Sequence, residues 1–256
     1  MQYTNNGLVR HAKNALGLKT VYMYGGILRL VEQQYDMLQR IYGNQSGTGY
    51  STERWNYLKS LFGKGYYGVD CVGLIKSYYW SGKLNGGVGS PNYGAAGYPD
   101  VNAGGMYAAA KVKGKIDTMP ETPGLIVYCR SHPHVGVYIG NGYTIESTLG
   151  SRGDGVVKRK LDGLWEYWFE CPYIKYIKKN DKITTISTKT DFVAAIREKP
   201  TYKSTQIGRL DPGTNVTYIK DSDTLDPVSQ LIYVRLSEKL NGKNQWILKQ
   251  TLHGGT

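Results

Sequence analysis

Apolar side chains recur with a helical period in the first part of the chain. Residues 5–16, 27–41 and 52–65 carry them three or four positions apart, which predicts three helices. Residues 82–105 are rich in glycine and lack such a period, so we expect a surface loop there. Its GGVG run has no strand before it and no Gly-Lys-Ser/Thr after it, so a phosphate-binding loop is not predicted.

A fourth helix is predicted directly after Asp70. Apolar positions recur at helical spacing in DCVGLIKSYYW, and the Ser-Gly pair that follows ends the run. Cys71 then lies in the first turn, and Asp70 has a side chain typical of an N-cap. The free backbone N–H groups and the positive end of the helix dipole would stabilise a Cys71 thiolate, which makes the sulfur a nucleophile. The alternative is an inert buried thiol, as free cysteines often are.

Strand periodicity replaces helical periodicity between residues 123 and 148. We expect a strand over 125–129 and a hairpin formed by 134–139 and 143–148. Alternation places His134 on the face opposite to the apolar side chains of its strand. The apolar faces of both hairpin strands can share one core only if residues 140–142 form a three-residue loop.

That loop would pair Gly136 with Glu146 and make His134 and Glu146 diagonal neighbours. Their Cβ atoms would be roughly 7 Å apart, a gap that a Glu side chain can span. A thiol nucleophile needs a base, and the base needs a group that orients it. The sequence therefore predicts a triad of Cys71, His134 and Glu146, although His134 as an ordinary strand histidine remains an alternative.

The segment CRSHPH superficially resembles a zinc site through Cys129, His132 and His134. Zinc needs at least three converging ligands, whereas Cys129 ends one strand and Pro133 separates two histidines that would face differently. We expect no metal and no other cofactor. Three cysteines are too few for a disulfide scaffold, and whether Cys129 and Cys171 pair stays open.

The pattern changes again after residue 177. Residues 178–190 are polar and rich in threonine, and we interpret them as a linker. Short β-type runs separated by turn signals fill residues 191–253, which predicts a small all-β barrel. The expected plan is one domain over 1–177, a linker over 178–190 and a second domain over 191–256.

Charge narrows the possible partners. Lys and Arg number 32 against 20 Asp and Glu, which gives a net charge of +12 and favours an anionic partner. The basic residues are scattered rather than striped, so we expect no nucleic-acid binding. No apolar run reaches membrane-spanning length and the N-terminus lacks a signal-peptide core, so we expect no membrane insertion.

Four motifs in the first domain resemble those of the NlpC/P60 cysteine peptidases, papain-like enzymes that cut the peptide stems of bacterial cell walls. The motifs are YMYGG (22–26), DCVGLI (70–75), PGLIVY (123–128) and HVGVYIGNGYTIES (134–147). The resemblance implies an α+β fold with helices packed on an antiparallel sheet. It also implies that Cys71 is the nucleophile, His134 the base and Glu146 the third polar residue. Tyr22 would help to stabilise the oxyanion, and Asp70 is a second candidate for oxyanion or substrate binding.

Three features depart from the family pattern. Val72 stands where the family usually has Ser, and Glu146 stands where most members have His, Asn or Gln. Residues 27–67 separate the GG and DC motifs, where typical members have a short loop. We expect this helical insertion to wall the substrate groove. Such insertions, and residues 155–174, are similar to those of clostridial phage-associated members.

Residues 194–219 and the ending QWILKQTL resemble bacterial SH3-like wall-binding domains, although Gln245 replaces the usual Gly. The resemblance implies wall binding, with Tyr218 and Trp246 as candidate contacts.

The expected protein is a monomeric peptidoglycan hydrolase that cuts between D-Glu and the diamino acid of the stem peptide. A phage lysin released through a membrane pore or by other non-classical export is favoured over a secreted autolysin, because no signal peptide is recognised. An N-acetylmuramoyl-L-alanine amidase and an inactive wall-binding protein are the alternatives.

Overall fold

The computed structural model describes residues 3–43, 45–83, 86, 89–177, 185–219, 222–226, 228–229, 231–240 and 243–254. The chain divides into two compact units, Met1–Lys179 and Asn180–Thr256. The helices of the first unit are α1 (Asn5–Leu16), α2 (Val31–Tyr42), α3 (Thr52–Ser60), α4 (Cys71–Trp80) and α5 (Ala103–Ala109). Its strands are β1 (Thr20–Tyr22), β2 (Ile27–Leu30), β3 (Tyr67–Val69), β4 (Lys113–Lys115), β5 (Ile126–Cys129), β6 (His134–Gly140), β7 (Tyr143–Thr148), β8 (Gly155–Lys160) and β9 (Tyr167–Phe169).

A six-stranded antiparallel sheet organises the first unit, in the order β4-β9-β5-β6-β7-β8. Helices α1 and α4 pack on one face, where Val135, Val137 and Ile145 join the core. Tyr138 and Trp165 belong to a second core on the opposite face. A small sheet, β1-β3-β2, lies beside the start of α4. The predicted α+β class is therefore confirmed.

Helix α4 is buried along its whole length and begins where we predicted. Asp70 caps it through a hydrogen bond from the Gly73 N–H. A Cβ atom at Gly73 would lie 1.8 Å from the carbonyl oxygen of Gly26, so only glycine lets the helix approach this closely. The helix start is thereby pressed against the Gly25-Gly26 turn.

The predicted helices have mixed outcomes. The helix over 5–16 is confirmed, whereas residues 27–30 form strand β2 and α2 begins only at Val31. The Gln34 side chain accepts from the Ile27 N–H and donates to the Gly68 carbonyl, which ties β2 and β3 to the helix. The helix predicted over 52–65 ends at Ser60 and continues as turns. The predicted loop over 82–105 contains the first residues of α5.

The β6–β7 hairpin has the predicted register but not the predicted loop. Val137 pairs with Ile145, as expected, yet Gly140 pairs with Tyr143 across a two-residue turn. Asn141 and Gly142 both have positive φ, 55° and 71°, which a type I′ turn requires. A β-bulge between Tyr138 and Gly140 supplies the extra residue. The prediction of a three-residue loop was therefore wrong. The β-bulge, rather than the loop length, sets the register of the hairpin.

The second unit is a seven-stranded sheet in the order β10-β13-β15-β16-β11-β12, with β14 paired to β15. Its strands are β10 (Thr185–Lys189), β11 (Ala194–Arg197), β12 (Gln206–Leu210), β13 (Asn215–Ile219), β14 (Thr224–Leu225), β15 (Ile232–Leu240) and β16 (Lys243–Leu248). Within the described part of this unit, the sheet does not close into a barrel.

Strand β10 lies inside the segment that we predicted to be linker. Its five residues pair with β13, because the β-branched Thr and Ile side chains of TISTK suit a strand. The earlier part of that segment, residues 178–184, lies outside the described residues.

Candidate active site

Cys71 is the first residue of α4, and its residue surface is 7% exposed. The first N–H groups of a helix have no partner inside it and favour a negative charge nearby. Both carboxylate oxygens of Asp70 are engaged by backbone N–H groups, from Gly73 at 2.5 Å and from Gly25 at 2.7 Å. Burial raises the pKa of Asp70, against the pull of Lys76 and these donors. Asp70 thus fixes the helix start next to the Gly25 turn.

His134 begins β6, and its ring stacks on Trp165 with the ring centres 5.5 Å apart. Its Nε2 forms an ion-pair contact with Oε2 of Glu146. Burial opposes a charge on the ring, but hydrogen bonds to Cys71 and Glu146 and their charges outweigh it and raise the pKa of His134 to about 10. The imidazolium form is therefore favoured at neutral pH.

Glu146 has no exposed surface and lies between two cationic groups. Its Oε2 contacts His134, and its Oε1 accepts from the Arg152 guanidinium at 2.7 Å. Burial favours the neutral acid, but the hydrogen bonds and charges of His134 and Arg152 outweigh it and lower the pKa of Glu146. Arg152 also donates to Asp162 at 2.8 Å. The carboxylate is therefore held ionised and fixed in position.

The structure thus brings together the three residues that the sequence predicted as a triad. Since Glu146 occupies Nε2 of His134, Nδ1 is the ring nitrogen available to exchange a proton with Cys71. A thiol, an imidazole and a carboxylate in this order can serve as nucleophile, base and orienting group.

Tyr22 ends β1 and lines the same site. Burial and the negative charges of Cys71 and Asp70 raise the pKa of its hydroxyl. The hydroxyl therefore stays protonated and can donate a hydrogen bond near Cys71.

An open groove of about 500 Å³ runs over the site. It is lined by Tyr22, Gly47, Thr48, Gly49, His132, Pro133, His134, Thr148, Leu149, Arg152 and Leu164. Residues 47–49 belong to the segment 27–67, between the GG and DC motifs. Cys71 does not line the groove, although its partner His134 and its neighbour Tyr22 do.

Sequence reasoning missed Arg152, Asp162 and Trp165. Arg152 and Asp162 lie in irregular segments, where no periodicity shows which way a side chain points. The signal for Arg152 was only the density of charge and glycine in SRGDG. Trp165 lies in a turn and packs under the His134 ring.

Cys129 and His132 take no part in the triad. The Cys129 thiol is buried and contacts Ser131 and Glu166, whereas His132 is exposed. All three cysteines are free thiols, and burial raises the pKa of Cys171 to about 12. No helix in the described ranges is both long and apolar enough to cross a membrane.

The candidate wall contacts lie on strands of the second unit. Tyr218 on β13 pairs with Ile186 and Leu236, and its side chain packs against the core of this unit. Trp246 on β16 pairs with Arg197 and Arg235. A separate groove of about 600 Å³ is formed by Ser187, Thr188, Lys189, Thr190, Asp191, Pro212, Gly213 and His253, and it includes neither aromatic residue.

Comparison with known proteins gives structural neighbours of low similarity. No family model and no curated protein matches the chain. The peptidoglycan hydrolase RipB from Mycobacterium tuberculosis is 21% identical with a TM-score of 0.36, over 67% of this chain and 65% of its own. The chain thus spans less than two thirds of RipB.

Two further neighbours extend the comparison. Ly7917, also solved with the hydrolysing product of MDP, is 12% identical with a TM-score of 0.28, over 96% of this chain and 92% of its own. NlpC2 from Trichomonas vaginalis is 19% identical with a TM-score of 0.23, over 56% and 47%. These values do not define a family for the chain, so its function is inferred from its own residues.

Proposed function

We propose that the protein is a peptidoglycan hydrolase of the NlpC/P60 type that cuts the stem peptide between D-Glu and the diamino acid. The observation that supports this proposal best is the Cys71–His134–Glu146 arrangement, in which Arg152 secures the carboxylate. Four motifs in family order supply the substrate class, and the net charge of +12 suits an anionic wall.

The Cys71 thiolate attacks the peptide carbonyl carbon and forms a C–S bond. The carbonyl oxygen becomes an oxyanion, which the Cys71 N–H and the Tyr22 hydroxyl stabilise. The oxyanion then collapses, the C–N bond breaks and the His134 imidazolium gives its proton to the leaving amine. Water, deprotonated by neutral His134, hydrolyses the thioester and regenerates the thiolate. Glu146 holds the ring in place through both half-reactions.

The second unit is proposed to be an SH3-like wall-binding domain of a phage lysin. Support comes from the motif order over residues 194–219 and from strands that coincide with the predicted β runs. Binding to the wall would raise the local concentration of stem peptides around the catalytic unit.

The test is mass spectrometry of soluble fragments released from purified clostridial-type peptidoglycan. Wild type should generate new termini at the D-Glu to diamino acid bond, and Cys71→Ala should generate none. Cys129→Ala is the matched control, because it removes a buried thiol outside the triad and should leave cleavage intact.

Two other outcomes of this experiment would indicate a different function. Fragments that begin with L-Ala would identify an amidase. No release by the wild type from several wall types would favour a non-catalytic wall-binding protein.

A further inference from the structure

We infer that Arg54 and Asp154 are positioning residues that hold Tyr22 at the oxyanion. The inference rests on the proposed function and deepens it. It makes the insertion over residues 27–67 part of the catalytic machinery as well as a wall of the groove.

A single ion pair binds both backbone polar groups of Tyr22. The two terminal nitrogens of Arg54 each donate to a different oxygen of Asp154, both at 2.7 Å. One of these nitrogens also donates to the Tyr22 carbonyl oxygen at 2.5 Å, and Asp154 accepts from the Tyr22 N–H at 2.9 Å. We call this four-bond arrangement the Tyr22 clamp.

The clamp occupies an edge of the small sheet. Strand β1 is three residues long and pairs with β3 on one side only, in the order β1-β3-β2. A short edge strand leaves half of its backbone groups without a sheet partner. At Tyr22 the ion pair takes the place of a neighbouring strand, so the residue is fixed although its strand ends there.

Both halves of the clamp are themselves held. Arg54 lies in the first turn of α3, where its N–H donates to the Ser51 side chain, and its guanidinium lies 5.2 Å from the Tyr57 ring centre. Asp154 is flanked by Gly153 and Gly155, with φ of 139° and 104°. A Cβ atom at Gly155 would lie 2.7 Å from the Thr20 backbone, so this loop presses against β1.

The contact has a catalytic consequence because Tyr22 lines the same groove as His134. Burial, and after it the charges of Cys71 and Asp70, raise the pKa of its hydroxyl, so the hydroxyl remains a hydrogen-bond donor there. Oxyanion donors act through placement, and a shift of about 1 Å can cost on the order of a hundredfold in rate. Loss of the clamp would leave the Cys71 thiol and the His134 imidazole in place, but the Tyr22 hydroxyl would no longer be held in position. The effect should therefore fall on kcat rather than on KM.

The experiment measures steady-state cleavage of a soluble muropeptide digest by Arg54→Gln and Asp154→Asn, alone and combined with Tyr22→Phe. We expect each clamp variant to lower kcat by about tenfold or more with KM little changed. In the Tyr22→Phe background neither should lower it further, because the hydroxyl that the clamp positions is gone. Lys59→Gln, an exposed cation on the same helix, is the control and should have no effect.

A second readout separates positioning from a general structural defect. Alkylation of Cys71 by iodoacetamide should keep its wild-type rate in both clamp variants, since His134 and Glu146 are untouched. If Arg54→Gln does not fold, Arg54→Lys retains the charge but cannot bridge Asp154 and Tyr22 together, and the same kcat loss is expected.

Two results would overturn the inference: an equal further loss of kcat in the Tyr22→Phe background, or a parallel loss of alkylation rate. An inactive wild type would instead refute the proposed function itself, and the inference with it.

Discussion

His134 is the residue whose surroundings say most about the chemistry. Its ring contacts a thiol and a carboxylate, and both favour the charged form. A charged imidazole beside the sulfur stabilises the thiolate. We expect His134→Ala to slow iodoacetamide alkylation of Cys71 by about tenfold or more near pH 6. His132→Ala, which alters the exposed neighbouring histidine, should not change the rate. An equal rate in all three proteins would show that the imidazole does not activate the thiol.

In the proposed mechanism, the pKa of His134 also sets the alkaline limit of activity. The leaving amine needs a proton from the imidazolium, and that form persists until the pH approaches the raised pKa of about 10. We expect kcat/KM to stay level from neutral pH to about pH 9 and to fall above about pH 10. The pH profile of muropeptide cleavage measures this. A fall near pH 7 would contradict the raised pKa.

Arg152 should control the acid side of the same profile. Burial opposes ionisation of Glu146, and His134 and Arg152 together outweigh it and lower the pKa of this carboxyl, which has no exposed surface. In Arg152→Gln the carboxylate loses this donor, so its pKa should rise and activity should fall at a higher pH than in wild type. The expected loss of kcat at neutral pH is about tenfold.

Rescue distinguishes this role from simple destabilisation. Arg152→Lys should restore the acid limb in part, because it returns a charge to Glu146 without the contact to Asp162. Arg130→Gln, which removes a guanidinium stacked on Tyr107 and Tyr167, is the control and should leave the profile unchanged. If the acid limb of the pH profile of Arg152→Gln is not shifted from that of the wild type, Arg152 does not control the ionisation of Glu146.

At the scale of single residues, the sequence predicted the three groups of the proposed triad and missed the residues that hold them in place. His134 and Glu146 sit on strands whose alternation fixes the side-chain direction, so their meeting was predictable. Cys71 was assigned to the same site because a thiol nucleophile needs a base, and because the motifs resemble those of a cysteine peptidase family. Arg152 and Asp154 lie in a loop, where direction depends on glycine conformations that only the folded chain reveals.

At the scale of elements, α4 depends on one close backbone contact. A Cβ atom at Gly73 would meet the Gly26 carbonyl at 1.8 Å, and a backbone atom cannot give way cheaply. We expect Gly73→Ala to lower the free energy of unfolding by about 3 kcal/mol and to reduce activity by displacing Cys71. Urea unfolding measures this. Gly163→Ala, whose Cβ meets open space, is the control, and an equal stability of both variants would contradict the contact.

The predicted boundaries of helices and strands were correct where one hydrophobic period runs through the whole element. They were wrong where tertiary contacts interrupt that period. Helix α1 has the predicted bounds because its apolar stripe and its Thr4 N-cap both place the helix start at Asn5. Residues 27–30 share the apolar spacing of α2 but pair with β3, since Gln34 binds backbone groups of both strands. Strand β10 was missed because its polar residues have no apolar face to signal burial.

At the scale of the whole molecule, the excess of 12 positive charges should govern association with walls. We expect retention on purified walls to fall as salt rises from about 50 to about 500 mM, because the Debye length shortens several-fold over that range. Co-sedimentation of the full-length Cys71→Ala protein measures binding without digestion. Retention that is independent of salt would favour a wall contact made through neutral groups.

The loop over residues 149–155 positions two residues of the site, since Arg152 binds the Glu146 carboxylate and Asp154 binds the Tyr22 backbone. Its partners come from separate parts of the chain: Asp162 beyond β8, and Arg54 on the inserted helix α3. Replacement of residues 149–155 alone by an unrelated loop should therefore abolish activity, because Asp162 and Arg54 would lose their partners. Any exchange of segments with another protein therefore has to move three of them together: the loop, α3 and the turn between β8 and β9.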